Sequence, residues 1–453
     1  MITILLLLTS FTVFSQTLHL AVLGGSGEPQ NKDTTIFDSG LEKMGEFNRS
    51  HPGIKSQVMF NGGHAKTEEI ARVGFGSSTP FSAKGYYQII QDYKTKLANG
   101  EIKSGDKILL DIYSHGATRD LAEKSHKIAA GAGTMTNADS VSGVTTVSLD
   151  ELKSLSDLAK SKGVKLAIVD LSCHSGNSLA LAGDNTCVIS ATGPNHYSGA
   201  GTMSFGTIFS GSLASGKSLE EVYLNARAQF NDPSFPMISS PAGKEVQEKL
   251  YDKETPFLYY YSPLNDKFTP YMESLATGVG ECSIDSNLFG LNSEIDKLLK
   301  AGANAELTNK LENFRSALTE YHDYIRDLKQ KMDAFGVGEI SKPYQLCSGD
   351  LCVTYTAKEI ASKDFAALRP YYEDQHNKKM LDILGQATSL KGQLLAQNSS
   401  VKDAARFWQS LPDLQRKSSM LQSNVAKSQR ELYLEMYRRS QATGPNPCRD
   451  FKL

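Results

Sequence analysis

The feature that most constrains this chain is a set of short apolar runs that stop abruptly on small residues. L-H-L-A-V-L (18–23) ends in Gly24 and Gly25, K-I-L-L-D-I-Y (107–113) in S-H-G, and V-K-L-A-I-V-D-L (164–171) in S-C-H-S-G. A further strand candidate, I-K-S-Q-V-M-F (54–60), closes on Asn61 and two glycines. A strand covered on one face alternates apolar with polar residues, so near-continuous apolar runs require cover on both faces. Segments of helical period lie between them: Tyr86–Leu97, and Asp150–Lys160 with Leu152, Leu155 and Leu158 on one face. A helix from about Asn177, a short strand at Cys187–Ala191 and a helix near Leu219–Phe230 continue the series. Strands alternating with helices predict an α/β sandwich, a mainly parallel sheet with helices on both faces, over residues 17–255.

The texture changes after Pro263. Leu307, Leu311, Phe314, Leu318, Tyr321, Ile325, Leu328 and Met332 follow an unbroken four-three spacing, which predicts a long helix packed lengthwise on others. Weaker versions recur from Met380 to Leu394 and from Leu414 to Leu432. With 453 residues, too many for one ordinary core, the chain is expected to carry a second domain. It reads as an all-α bundle of about three long helices over 281–453, joined by a linker at 256–280.

Ile2–Phe14 is almost uncharged, with four leucines at its centre and small Val13 and Ser15 before a cleavage point near residue 16. Residues 1–16 therefore read as a secretory signal peptide, although no Lys or Arg precedes the apolar run. That run is too short to span a bilayer, and no other stretch approaches the required length. A formal net charge of -2 without a Lys/Arg block gives no basis for binding nucleic acid or an anionic membrane. The mature chain is expected to be exported, to the periplasm or the extracellular space.

Six cysteines fit an oxidising compartment. Cys282, Cys347, Cys352 and Cys448 fall in the helical half and would pair most simply as Cys347 with Cys352 and Cys282 with Cys448. Cys173 and Cys187 remain in the α/β half, and a bridge between them is the bland alternative to a chemical role. No cysteine or histidine cluster has zinc spacing, and no metal site is expected.

Chemistry enters at two strand ends. Neighbouring parallel strands deliver their carboxyl ends to one edge, so His115 and Cys173 would meet there if their strands are adjacent. A thiol acts as a nucleophile when it is a thiolate, and a nearby imidazole can take its proton. A helix starting near Asn177 would direct its positive end at the sulfur. Gly116 lacks a side chain, so its N–H can approach a carbonyl oxygen and, with the N–H of Cys173, form an oxyanion hole.

His-Gly after one apolar strand and Cys after the next resembles the layout of caspase-like cysteine peptidases. D-L-S-C-H-S-G-N-S is similar to the Asp-Ser-Cys-His-Ser-Gly signature of metacaspases, I-Y-S-H-G to their histidine segment, and 58 residues separate His115 from Cys173. The resemblance covers residues 17–255 and leaves the helical half unmatched. It implies Cys173 as nucleophile, His115 as general base and acid, Gly116 and Cys173 as oxyanion donors, and His174 as structural. It further implies a protein or peptide substrate, no cofactor beyond the calcium that many relatives require, and a pocket acid for a basic P1 side chain.

That acid is displaced here. The family places it two residues before the cysteine, where this chain has Leu171, with Asp170 one residue earlier and so on the opposite strand face. Asp33, Asp38 and Glu28, in the loop after the first strand, are the other candidate pocket carboxylates. No Lys or Arg lies between Lys165 and Lys217, so an enzyme cutting after basic residues would leave this region uncut. The expected function is an exported cysteine endopeptidase working through a thioester. The alternative is an inactive caspase-fold scaffold whose helical bundle mediates protein binding. A serine hydrolase is not supported, because G-G-S-G (24–27) lacks the spacing of a nucleophile elbow.

Overall fold

The computed structural model describes residues 16–28, 32–60, 63–117, 126–131, 146–194, 196, 198–199, 201–232, 234–250, 293, 295–333 and 341–453. The apolar segment at 2–14, the linker at 256–280 and Cys282 lie outside them. The chain divides into two units, the first made of Met1–Phe230, Ser234–Thr255 and Tyr433–Leu453, the second of Asn231–Pro233 and Pro256–Leu432.

In the first unit the strands are β1 (Leu18–Gly24), β2 (Lys55–Phe60), β3 (Lys107–Tyr113), β4 (Gly116–Ala117), β5 (Lys127–Ala129), β6 (Thr146–Ser148), β7 (Lys165–Asp170), β8 (Thr186–Ser190) and β9 (Met237–Ile238). Six of them form one sheet in the order β2-β1-β3-β7-β8-β9. All pairings are parallel except that of β8 with β9. β4, β5 and β6 form a small antiparallel sheet that the sequence pattern did not signal.

Cover on both faces explains the apolar runs. On one face Ile108, Leu110 and Ile112 of β3 and Leu166 and Ile168 of β7 pack under Tyr86, Ile89, Tyr93, Leu152 and Leu155. Those residues belong to helices Ala83–Asn99 and Leu152–Ser161. Ser82 starts the first by accepting a hydrogen bond from Gly85 N, and Gly100 ends it in the left-handed conformation. On the other face Tyr113 lies against Gly40 of helix Asp38–Ser50, where an added Cβ would fall 2.3 Å from the tyrosine ring. It also faces Gly206 of helix Phe205–Gly211. The glycine at position 40 is thus required by close approach rather than by backbone angle.

The C-terminal segment corrects the expected boundary and the expected disulfide. Residues 433–453 belong with the α/β unit, not with a bundle running to the chain end. Cys448 bridges to Cys187 on β8, so it is not the partner of Cys282. Leu219 N donates to Phe451 O and Leu453 N to Lys217 O, each within 3.1 Å. The guanidinium of fully buried Arg227 lies 5.4 Å from the Phe235 ring centre and 4.9 Å from that of Tyr433. These contacts join residues far apart in sequence, which grouping cysteines by nearby segments could not foresee.

In the second unit, helix Ala305–Asp333 buries Leu311, Phe314, Leu318, Tyr321 and Leu328, following the heptad seam. It runs antiparallel to the helix that starts at Leu411: Tyr324 Oη donates to Leu414 O (2.7 Å), Gln422 to Tyr321 Oη (2.9 Å), and Lys310 pairs with Glu431 (3.8 Å). The third long helix, Lys378–Gln397, instead packs on a β-hairpin, with Ile383, Leu384 and Ala387 against Leu346 and Tyr355. That hairpin pairs β10 (Pro343–Ser348) with β11 (Leu351–Thr356), and the Cys347–Cys352 bridge joins directly opposed residues, as expected. The region is mainly helical, but the hairpin means that it is not all-α.

Replacing Cys448 by Ser should destabilise the first unit by about 2–4 kcal/mol, read as a shift of the urea midpoint of the non-reduced protein. Non-reducing peptide mapping should recover Cys187 joined to Cys448; a Cys282–Cys448 peptide would contradict the connectivity.

Candidate active site

β3 and β7 are parallel neighbours, with Ile112 opposite Asp170, and Leu171 N donates to Ile112 O at 2.9 Å. The two chains therefore leave the sheet side by side at its carboxyl edge, carrying His115 and Cys173. An added Cβ at Gly116 would lie 2.0 Å from Cys173 O and 2.8 Å from Ser172 Oγ. Only glycine fits there, because the two backbones touch. Cys173 is a thiol, and Cys187 is engaged elsewhere, so the alternative bridge between them does not form.

His115 is held by a residue that sequence reasoning assigned to a different task. Its Nε2 lies 2.7 Å from Oε1 of buried Glu28. A carboxylate there accepts Nε2–H, which fixes the tautomer and leaves Nδ1 with a lone pair. The Phe37 ring stands edge-on to the imidazole, 5.3 Å between centres. The signal for Glu28 was present in part: it follows β1, and the loop after β1 shares an edge with the loop after β3 once those strands are known to pair. Sequence does not specify that pairing.

The register of β4 on β5 bears on the oxyanion donor. Ala129 N donates to His115 O at 2.8 Å, while Gly116 faces Ile128. In an antiparallel ladder the next pair after such a bond exchanges none, so the Gly116 N–H is turned out of the ladder. On the sulfur side, Ser198 N donates to Cys173 Sγ at 3.3 Å, and the thiol in turn lies 3.8 Å from Ser198 O.

The chain turns sharply just after the nucleophile candidate. His174 adopts φ 60°, which a residue with a side chain occupies at a cost of about 1–3 kcal/mol. It is held by its N–H on His196 O (2.8 Å) and by Nδ1 beside Pro194 O (3.0 Å). The imidazole of His174 is thus engaged in the turn rather than presented to a substrate. The segment that follows is a 3-10 helix, Ser175–Leu181, and not the α-helix expected from about Asn177. The expected helix-dipole contribution to the sulfur is therefore dropped in favour of the local Ser198 N–H.

Asp170 also differs from its expected role. It is fully buried and accepts from Ser172 Oγ (2.6 Å), Ser172 N (3.1 Å) and Ser178 Oγ (2.5 Å). His126 Nε2 lies 3.0 Å from Asp170 Oδ2 and 2.9 Å from Ser172 Oγ. Burial pushes this carboxyl up, but His126 beside it and the hydrogen bonds from His126, Ser172 and Ser178 together hold it below the usual range. Asp170 is the hub of a buried network beside Cys173 and is not exposed to meet a substrate side chain. Strand alternation is maintained, and it turns Leu171 the other way.

Of the two other pocket candidates, Asp38 is bound up in its own loop and Asp33 is exposed. Asp38 Oδ1 accepts from Thr35 Oγ1 (2.8 Å) and Thr67 Oγ1 (2.6 Å), pinning the loop that carries Phe37. Asp33 has an exposed side chain, and its carbonyl caps helix Ala65–Phe75 by accepting from Lys66 N at 2.9 Å. Among the described residues, no group of three or more His, Cys, Asp or Glu side chains is placed to hold a metal ion. Neither the family models nor the curated proteins include a match to this chain.

His126→Ala would leave the Asp170 carboxylate buried without its main partner, with an expected loss of about 3–5 kcal/mol. Because the folded carboxyl is depressed, its stabilisation is complete above the unfolded value of about 3.9 and is lost as pH falls through the folded one. Urea midpoints measured across acid pH should therefore show the wild type's advantage over the variant shrinking as the solution is acidified. A constant difference would contradict the assignment.

Proposed function

We propose that the protein is a caspase-like cysteine endopeptidase acting through Cys173 and His115. The observation that carries this reading is the pairing of β3 with β7, which sends a thiol and a Glu28-bound imidazole off the same sheet edge. In the proposed reaction His115 Nδ1 takes the thiol proton, and the sulfur attacks the scissile carbonyl carbon. The resulting oxyanion is received by the N–H groups of Gly116 and Cys173. The imidazolium, its charge offset by Glu28, gives its proton to the leaving amine as the C–N bond breaks and the thioester remains. Water, deprotonated by the same imidazole, then cleaves the thioester and restores the thiol.

Export is part of the proposal. It is supported by the apolar N-terminal run and by two disulfides, Cys187–Cys448 and Cys347–Cys352. No described helix is long and apolar enough to cross a membrane.

A peptidyl chloromethylketone or iodoacetamide should alkylate Cys173, and peptide cleavage should vanish in Cys173→Ala and His115→Ala. Glu28→Ala is expected to lower kcat/KM by about 10-fold or more, part of the roughly 10²–10⁴-fold that a positioned base supplies. If Cys173 in the folded protein resists both reagents while Cys173→Ala changes no measurable activity, the scaffold reading replaces this one.

A further inference from the structure

We infer that the cleft beside the dyad selects a small apolar side chain at P1, alanine or valine, and excludes arginine and lysine. The inference rests on the peptidase reading and adds the substrate class. A shallow hollow, with enclosed room of about 10 Å³ and the rest open to solvent, lies between helices Asp38–Ser50 and Phe205–Gly211. Three contacts place it at the reacting groups. Phe37 in its wall stands against the His115 ring. Gly199, also in the lining, follows Ser198, whose N–H reaches the sulfur. Leu171, on the strand end that leads to Cys173, forms another wall.

The lining chemistry decides what can enter. Ile36, Phe37, Leu171 and the Tyr113 ring are apolar, and none of the described lining residues is charged. The polar atoms nearby are mostly committed. Tyr113 Oη is bonded to Ser210 Oγ, Ser204 Oγ donates to Thr207 Oγ1 (3.1 Å), and Thr207 Oγ1 donates to Gly201 O (2.9 Å). A guanidinium or ammonium placed here would give up hydration with no carboxylate among the described lining residues to meet it. Two of the sequence candidates are already engaged, Asp38 with Thr35 and Thr67 and Asp170 with His126. Depth is limited too: even a Cβ added at Gly206 would stand 3.1 Å from Leu171 and 3.2 Å from Tyr113. A long basic side chain has no room there.

The test is a panel of full-length-enzyme assays on fluorogenic peptides differing only at P1, with Ala, Val, Leu, Asn, Asp, Lys and Arg, beside Cys173→Ala. The expected result is kcat/KM at least about 100-fold higher for Ala or Val than for Arg or Lys, within reach of one pocket's discrimination. Leu171→Asp should bring a carboxylate to the wall and raise Arg cleavage relative to Ala by at least about 10-fold. Ile36→Asp places the charge at an exposed rim position and should act in the same direction if Leu171→Asp does not fold. Cys173-dependent cleavage that prefers Arg or Lys in the wild type would overturn this inference and leave the peptidase reading standing. Cleavage of no peptide, together with an unlabelled Cys173, would overturn both.

Discussion

The parallel pairing of β3 with β7 is the constraint on which the rest depends. It is extended one residue past the strand by the bond from Leu171 N to Ile112 O. A parallel sheet presents all its carboxyl ends at one edge, so chemistry there is built from loops that share a rigid base. Here that base holds three loops in order, since β1 pairs with β3 and β3 with β7. The first contributes Glu28, the second His115 and Gly116, and the third Cys173. A slip of one residue in β7 would exchange the faces of Asp170 and Leu171, burying the apolar side chain in a polar network and opening the carboxylate to the hollow.

The same edge shows how a strained turn is kept in place. His174 sits in a backbone conformation that few side-chain-bearing residues adopt. Asn177 Nδ2 donates both to His174 O (3.0 Å) and to Pro194 O (3.1 Å), fastening the turn to the loop after β8. Below it, Asp170 draws Ser172, Ser178 and His126 together by hydrogen bonds with almost no solvent contact. Buried polar groups that satisfy each other rigidify what they touch, and what they touch is the peptide before the sulfur.

Much of the α/β architecture was legible because its physics is local. Apolar runs bounded by small residues mark β1, β3 and β7 to within a residue or two, and the four-three seam marks Ala305–Asp333. What could not be read depends on contacts between distant residues. Nothing in the neighbourhood of Cys448 points to β8, and nothing beside Glu28 names His115. The β10–β11 hairpin was missed because its six-residue strands are half-exposed and offer no apolar run. At the site, alternation did predict that Asp170 and Leu171 face opposite ways. The sequence could not say which of them faces the hollow, because that depends on helices Asp38–Ser50 and Phe205–Gly211 lying on that side of the sheet.

The return of the chain end to β8 has a topological consequence. The second unit is an insertion, entered from and left back into the first, and the bridge between positions 187 and 448 closes a covalent ring around it. One scission anywhere inside that ring converts a loop into two tethered arms but frees neither. Severing the helical region from the sheet therefore takes two cuts, or one cut and a reductant.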